Sequence, residues 1–251
     1  MDLGLEGKTA LVTGGTHGIG LAISLALFRE GCQVSIASRH PLSAAVAELF
    51  LHLHFQFDAL VPDSVDHLLR EVLNRGGVDI LINNVGGGGR WGTTSVETPL
   101  RTWDEVYQKN ARCAVQLTTG LLPRMLERGF GRVVTISSIH GVEAGGRPWF
   151  AAAKGAQVAI MKAFAKDCRL ARAGITFNSV APGSIMVPET GWETTARERP
   201  AEFAQFTESL PLGRLGTPEE VAGLIVFLCS KQAAYINGAC FIIDGAESNS
   251  F

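Results

Sequence analysis

The chain has 251 residues, of which 46% are hydrophobic and 18% charged, and its formal net charge is -2. This length predicts a single domain over residues 1–251 with a large apolar core, and the composition excludes a disordered chain. Binding to a nucleic-acid backbone needs clustered lysine and arginine residues, so the lack of a basic run argues against a nucleic-acid partner.

Five cysteines are spread along the chain without close pairs. Metal sites and thiol-disulfide motifs use closely spaced cysteines, so these are predicted to be reduced core residues. The N-terminal residues lack a basic region followed by an apolar stretch, and no apolar run approaches membrane-spanning length. The sequence therefore predicts a soluble cytoplasmic protein with no membrane partner. An exported protein whose signal has been removed is the alternative, and the odd set of unpaired cysteines argues against it.

Short β-branched runs alternate with longer helical patterns from the start of the chain. The predicted strands are Thr9 to Thr13, Gln33 to Ser38, His54 to Phe57, Val78 to Asn83, Arg132 to Ser137, Thr176 to Ala181 and Ala239 to Ile243. Strands that alternate with helices are typical of a parallel sheet. The predicted fold class is α/β, a Rossmann-like, doubly wound parallel sheet of about seven strands with helices on both faces.

One long stretch, about Gly183 to Leu210, shows neither pattern. Long irregular loops inside compact domains are usually functional. This stretch is therefore predicted to be an irregular insertion over the active face, mobile without ligand, on which the shape of the substrate pocket depends.

A glycine-rich turn follows the first strand and leads into a helical pattern from Leu21 to Glu30. Glycine is required where backbone approaches a pyrophosphate closely, and a helix N-terminus offers free N–H groups and a positive dipole end. An ordinary tight turn is the alternative, but a position on the first β-α unit favours a dinucleotide site. The predicted contacts in this turn are Gly14, Thr16, His17, Gly18, Ile19 and Gly20.

The second strand ends in Ser38 and Arg39, at the place where NAD-selective proteins tend to carry an acidic residue. Arg39, together with His17, is predicted to pair with a 2′-phosphate through charge-assisted hydrogen bonds. NADP(H) is therefore favoured over NAD(H), and a solvated strand-end arginine is the alternative. Asp58, after the third strand, is predicted to face the adenine.

Several further blocks occur in order along the chain. They are Asn83-Asn84-Val85-Gly86, Lys109-Asn110, Ile136-Ser137-Ser138, Lys154, Ala181-Pro182-Gly183 and a C-terminal run that begins Gly213-Arg214-Leu215-Gly216. With the glycine-rich turn, these blocks resemble the short-chain dehydrogenase/reductase family over essentially the whole chain. The C-terminal run resembles the 3-oxoacyl reductase branch. The resemblance implies that NADP(H) serves the reduction of a small-molecule ketone, a 3-oxoacyl thioester or a related keto intermediate, to an alcohol.

The resemblance also implies roles for individual residues. In the family a serine hydrogen-bonds the carbonyl, a lysine holds the cofactor ribose, and an asparagine anchors a proton-relay water. Ser138, Lys154 and Asn110 match these roles, whereas Ser137 alternates to the other face of its strand. The further cofactor contacts are Asn84, Gly86, Pro182, Gly183 and Ile185.

The resemblance predicts a tyrosine as general acid/base four residues before Lys154, and the chain has Phe150 there. A phenylalanine has the shape of the phenol and no proton to give. Three interpretations stay open. Phe150 is an engineered change that disables a normal reductase, or it is natural and another group such as His140 donates, or it is natural and the protein binds a nucleotide without redox chemistry. A non-redox lyase or dehydratase on the same fold is a further alternative.

Candidate substrate contacts lie in the run from Gly86 to Gly92 and near the predicted catalytic residues. They are Arg90, Trp91, His140, Glu143 and Trp149. A flexible loop anchored by Trp91 and a surface or substrate-orienting His140 are the alternatives. His52 and His54 alternate on a predicted strand, but no third ligand accompanies them, so no metal site is predicted.

The family habit and two long apolar helical patterns, Leu100 to Leu126 and Trp149 to Ala171, indicate a homotetramer. Packing of these helices within one chain is the alternative. A single subunit mass in gel filtration would count against assembly.

Overall fold

The computed structural model describes residues 2–50, 53–88 and 97–250. Arg90 and Trp91, two of the candidate substrate contacts, lie outside the described residues, as does His52. Seven parallel strands form one sheet in the order β3-β2-β1-β4-β5-β6-β7. They are β1 Thr9–Thr13, β2 Gln33–Ser38, β3 His54–Gln56, β4 Ile80–Asn83, β5 Gly131–Ile136, β6 Ile175–Pro182 and β7 Cys240–Ile243. The predicted sheet is confirmed.

Helices connect the strands. The α-helices of the described residues are α1 Gly18–Arg29, α2 Ala44–Phe50, α3 Pro62–Asn74, α4 Leu100–Tyr107, α5 Cys113–Arg128, α6 Pro148–Ala165, α7 Cys168–Arg172, α8 Gly191–Glu198, α9 Pro200–Ser209 and α10 Pro218–Cys229. A π-helical turn, Gln108–Arg112, joins α4 to α5, and a 3₁₀ turn, Ile139–Gly141, follows β5. Among the described helices, none combines the length and the apolar character needed to cross a bilayer.

Both faces of the sheet are buried. Successive side chains of a strand point to opposite faces, and in β1 Val12 belongs to one apolar cluster while Leu11 belongs to the other. In β4, likewise, Ile80 belongs to the first cluster and Leu81 to the second. Uninterrupted apolar strands are what a doubly covered parallel sheet requires, and this explains the β-branched runs of the sequence.

One helix layer covers each face. Ile23 of α1 and Ile225 of α10 pack in the first cluster. Leu117 of α5 and Met161 of α6 pack in the second. Each of these side chains is at most 1% exposed, so the two layers form the core that holds the strand ends in place.

The start of α6 is fixed by local sequence. Pro148 occupies the first turn, where its missing N–H leaves no hydrogen bond unmade, and the preceding Arg147 is extended. Since α6 carries both Phe150 and Lys154, this start sets the position of two predicted site residues.

The strand order reverses between β1 and β4, which are neighbours in the sheet but not in the chain. The loops after these two strands therefore diverge, and a crevice opens at their carboxyl ends. Apart from Lys154, which lies in the second turn of α6, the residues predicted to bind the cofactor belong to strand ends, loops or a first helical turn on this side of the sheet.

Three predictions need correction. The stretch from Gly183 to Leu210 is not irregular, because α8 and α9 lie within it. The pattern from Leu100 to Leu126 is not one helix, because the π-helical turn interrupts it. Of the five cysteines, all of them free thiols, Cys168 is exposed and Cys240 is half-buried, so these two are not core residues.

Candidate functional site

The crevice between the loops of β1 and β4 contains a cleft of about 560 Å³. Eight residues predicted to bind the cofactor line it: Gly14, Thr16, His17, Ser38, Arg39, Asp58, Asn84 and Gly86. Because these residues come from the loops after β1, β2, β3 and β4, the cleft follows the carboxyl edge of half the sheet.

The glycine-rich turn forms one end of the cleft. Gly14 and Gly18 have φ of +66° and +53°, a region that side chains other than glycine rarely adopt. A Cβ on Gly20 would lie 2.2 Å from the Gly14 carbonyl oxygen, so only glycine allows the turn to approach α1 this closely. Ile19 lies between Gly18 and Gly20 in the first turn of α1.

The N-terminus of α1 carries no compensating negative charge. Its N-cap residue, His17, makes no side-chain cap, and no acidic residue lies in the first turn. Free N–H groups and the positive end of the helix dipole therefore point towards the glycine-rich turn, as an anion-binding site requires.

The far side of the cleft is the end of β2. The Arg39 side chain is exposed there. The Ser38 hydroxyl donates to the His40 carbonyl and contacts His54 Nε2 at 2.8 Å, so it is engaged within the protein. His17 Nε2 donates to the Pro188 carbonyl at 2.8 Å, which ties the glycine-rich turn to the segment before α8. Of the two side chains predicted to meet a 2′-phosphate, Arg39 is thus the more accessible.

Lys154 lies inside the protein behind Gly86. Its Nζ donates to the Ile136 carbonyl at 2.7 Å, and the residue is 4% exposed. Burial, with a smaller contribution from the positive charge of Lys109, lowers the pKa of Lys154 to about 7. A Cβ on Gly86 would lie 3.0 Å from Nζ, so glycine keeps the ammonium within reach of the cleft.

The two serines after β5 have different partners. The Ser137 hydroxyl is buried and donates to the Lys154 carbonyl at 3.0 Å. The Ser138 side chain is half-buried and accepts from the His140 N–H at 3.3 Å. Of the two hydroxyls, only that of Ser138 donates to no described residue, and the alternation of the strand predicts this difference.

Asn110 sits in the π-helical turn and is 1% exposed. Its side chain accepts from Gly87 N–H at 3.1 Å and donates to the carbonyls of Gly87 and Val106. Its backbone carbonyl accepts from Gln157 Nε2 at 2.9 Å. Asn110 therefore fixes the backbone beside Gly86, and its carbonyl already has a partner within the protein.

The His140 ring packs beside Phe150. Their centroids are 6.5 Å apart in an edge-to-face arrangement. The backbone of Gly145 and Gly146 covers the ring, since a Cβ on Gly146 would lie 2.8 Å from it. Nδ1 is buried without a hydrogen-bond partner among the described residues. An imidazole with an unused nitrogen therefore lies next to residue 150.

Two other candidate substrate contacts have partners within the protein. Trp149 is 2% exposed, its indole N–H donates to the Gly88 carbonyl, and its ring packs on Trp103. It is an interior residue and not a lining of the cleft. The Glu143 carboxylate accepts from Asn249 N–H at 2.8 Å and from the Ser250 hydroxyl, so it holds the C-terminal segment.

The predicted contacts after β6 lie apart from the main cleft. Pro182 is the last residue of β6, and Gly183 is in close contact with Asp244 and Glu247. Ile185 lines a separate cavity of about 170 Å³. The structure therefore gathers most of the predicted cofactor residues but leaves these three outside the 560 Å³ cleft.

The sequence reasoning assigned no role to Lys109, Gln157 or Glu189. Lys109 and Glu189 line the cleft, and Gln157 is buried against Asn110. Lys109 belongs to the block Lys109-Asn110 that carries the family resemblance, but this block alone does not indicate where the Lys109 side chain points.

The chain is similar to known proteins over nearly its whole length. Residues 14–246 match the family model described as Enoyl-(Acyl carrier protein) reductase. The chain is 34% identical to the 3-oxoacyl-(acyl-carrier-protein) reductase of Aquifex aeolicus, over 98% of this chain and 99% of that protein.

Solved structures share the whole architecture. The L-sorbose reductase of Gluconobacter frateurii, complexed with NADPH and L-sorbose, matches with a TM-score of 0.90 at 30% identity over 100% of both chains. The actinorhodin polyketide ketoreductase with NADPH matches with a TM-score of 0.84 at 30% identity, over 97% of this chain and 98% of that one.

Proposed function

Since the chain belongs to the short-chain dehydrogenase/reductase family of oxidoreductases, we propose that it binds NADP(H) and reduces a ketone, a 3-oxoacyl or related keto compound, to an alcohol. We further propose that Phe150 stands at the position of the general acid/base and impairs this activity. The observation that carries the proposal is that Lys154 Nζ lies 5.6 Å from the centroid of the Phe150 ring and reaches Gly86, which lines a cleft with a glycine-rich turn. Its hydrogen bond goes to the Ile136 carbonyl, two residues before Ser138.

The cleft fits a dinucleotide. The uncompensated N-terminus of α1 and the close approach at Gly20 suit a diphosphate, and the exposed guanidinium of Arg39 suits a 2′-phosphate. The two NADPH complexes among the structural relatives support this cofactor. Bound nicotinamide would supply the hydride, and the residues that would hold the cofactor are those that line the cleft.

The side chains of the chain then have distinct tasks. The hydroxyl of Ser138 donates to the carbonyl oxygen of the ketone and holds it in place. The ammonium of Lys154 donates to a ribose hydroxyl, and its charge favours negative charge at the neighbouring oxygen. Phe150 fills the space of a phenol but donates nothing, so water or another group must protonate the product oxygen.

The rate lost through the missing phenol can be measured by restoring a tyrosine at position 150. A positioned general acid/base typically supplies roughly 10²–10⁴ in rate. NADPH oxidation is measured with a panel of ketones and 3-oxoacyl thioesters, on the unchanged chain and on Phe150→Tyr. A rise of at least about 100-fold in the variant is expected. Phe28→Tyr, which adds a phenol on the exposed face of α1, is the matched control and should change nothing.

The other outcomes decide between the alternatives. Equal and substantial rates in both proteins would mean that another group donates the proton. No oxidation in either, with NADPH still bound, would replace the reductase by a nucleotide-binding protein. Consumption of substrate without a change in nicotinamide absorbance would indicate a lyase or dehydratase.

We also propose a homotetramer. Leu100 at the start of α4 is 80% exposed and Tyr107 at its end is 48% exposed, so this helix presents apolar surface outside the chain's own core. Sedimentation equilibrium should give four subunit masses. A single subunit mass would overturn the proposal.

A further inference from the structure

Lys109 occupies a fixed place in the cleft. It lies in the π-helical turn Gln108–Arg112, a kind of distortion that is frequent at functional sites. On one side the Gln108 amide donates to the Ala59 carbonyl, and on the other the Asn110 side chain binds the backbone of Gly87. The turn is thus attached to the loops after β3 and β4, and Lys109 between them enters the cleft.

The ammonium of Lys109 lies over a glycine. A Cβ on Gly87 would be 3.5 Å from Nζ, and the φ of Gly87 is +134°. Glycine at this position tolerates the positive φ and places no side chain against the Lys109 ammonium. The ammonium therefore reaches the surface on which a ligand of the cleft would lie, next to Gly86.

The charge of Lys109 is not neutralised. Its side chain makes no hydrogen bond or ion pair with any described residue. Burial and then the positive charge of Arg39 lower the pKa of Lys109, against the opposite effects of Glu105 and Asp58. Lys109 in turn contributes to the lowered pKa of Lys154. Lys109 therefore lies between two other basic side chains, Arg39 and Lys154, and is repelled by both.

We propose that Lys109 is a phosphate-binding residue of this cleft and binds a phosphate group of the dinucleotide, together with Arg39 where that group is the 2′-phosphate. The inference rests on the proposed function for the identity of the ligand. A phosphate between Lys109 and Arg39 converts their repulsion into two charge-assisted hydrogen bonds. An ammonium kept half-buried without a partner costs stability, and such a cost is typical of a binding residue.

The phosphate has two possible sources, the 2′-phosphate of NADPH and the diphosphate that NADPH and NADH share. The test therefore measures the dissociation constants of both NADPH and NADH by titration calorimetry, without any substrate. The proteins are the unchanged chain, Lys109→Met, which keeps the length and removes the charge, and Lys109→Arg, which keeps the charge. Lys166→Met, which removes an exposed charge at the end of α6, is the matched control.

Lys109→Met should weaken NADPH binding by roughly 10- to 100-fold, as expected for one lost hydrogen bond between charged groups. Lys109→Arg should retain most of the affinity, and Lys166→Met should retain all of it. Added salt should reduce the difference between the unchanged chain and Lys109→Met. Lys109→Met should melt no earlier than the unchanged chain, since the residue has no partner to lose.

The dissociation constants of NADPH and NADH decide which phosphate, if any, Lys109 binds. A loss for NADPH alone supports the proposal with the 2′-phosphate as the ligand, and an equal loss for NADPH and NADH supports it with the diphosphate. Unchanged affinity for both in Lys109→Met overturns the proposal and leaves the proposed reductase intact. Failure of the unchanged chain to bind either dinucleotide overturns both.

Discussion

The Nζ of Lys154 lies 5.6 Å from the centroid of the Phe150 ring, one helical turn away on α6. A phenyl ring offers no oxygen to the ammonium, and among the described residues Nζ donates only to the Ile136 carbonyl. Within the described part of the chain, Lys154 is therefore a buried amine with no carboxylate that raises its pKa. A buried ammonium without a negative neighbour tends to lose its proton, so the protonation of Lys154 differs between the folded and the unfolded chain.

The stability of the protein should depend on pH through Lys154. Its pKa is lowered from 10.5 to about 7 in the folded chain. Above pH 7 the unfolded chain holds a proton that the folded chain has released, so the free energy of unfolding rises with pH. Below pH 7 both states are charged and this slope vanishes. Lys154→Met should remove a slope of up to about 1.4 kcal/mol per pH unit.

The measurement is urea denaturation at several values between about pH 7 and pH 8, below the reference pKa of about 8.5 at which the thiols of the unfolded chain ionise. Burial raises the pKa of Cys32 to about 11 and that of Cys113 to about 12, so these thiols stay protonated in the folded state there. Lys166→Met should keep the slope of the unchanged chain. An unaltered slope in Lys154→Met would show that the ammonium stays charged.

Substitution of Ser137 should lower the stability of the fold, whereas substitution of Ser138 should lower the rate of catalysis. Ser137→Ala removes a buried hydrogen bond to the Lys154 carbonyl and should lower the free energy of unfolding by about 1 kcal/mol. Ser138→Ala removes a half-buried hydroxyl and should leave stability nearly unchanged. In a Phe150→Tyr background it should lower the rate of ketone reduction by roughly 10²–10³, as loss of one donor to a reacting carbonyl does.

Denaturation curves and NADPH oxidation on the same preparations check both serines. A Ser138→Ala protein that loses stability but keeps its rate would reverse the assignment of the two hydroxyls.

The strands were predictable because each one is buried on both faces. The predicted limits Thr9 to Thr13 and Gln33 to Ser38 agree with β1 and β2 at both ends. The helices α8 and α9 were missed because they are only 8 and 10 residues long, so an apolar period has few turns over which to repeat, and none of their residues is buried. They meet instead through one stacked pair, Trp192 and Phe206, with ring centroids 4.4 Å apart.

The glycine-rich turn could be predicted because its chemistry demands glycine at fixed spacing. Lys109 could not, because its direction depends on the π-helical turn, and that turn shifts the side chains that follow by a fraction of a helical turn without any residue that marks it. The partners of Trp149 and Gln157 were hidden for a similar reason, since both bind backbone carbonyls that are distant in the chain.

Arg39 should decide between the two nicotinamide cofactors. Arg39→Ala removes the guanidinium at the end of β2 and should weaken NADPH binding by roughly 10-fold or more, while NADH binding changes little. Fluorescence titration with each reduced dinucleotide measures both. Equal weakening of the two would mean that Arg39 does not meet a 2′-phosphate.

The rate of reduction should depend on His140 only when residue 150 has no hydroxyl group. The imidazole lies against the Phe150 ring, and its buried Nδ1 has no partner in the described part of the chain, so it is the group best placed to protonate a product oxygen there. The residual rate of the unchanged chain should therefore fall at least about 10-fold in His140→Asn. In a Phe150→Tyr background the same change should alter kcat little, because the phenol supplies the proton.

Four proteins, with each change alone, both together and neither, give the coupling between the two positions. Solvent isotope effects on kcat, measured with saturating NADPH, show whether a proton moves in the limiting step. Equal losses in both backgrounds, with KM raised, would mean that His140 orients the substrate. No loss in either would leave water as the proton source, because a group that donates the proton cannot be removed without a change in rate.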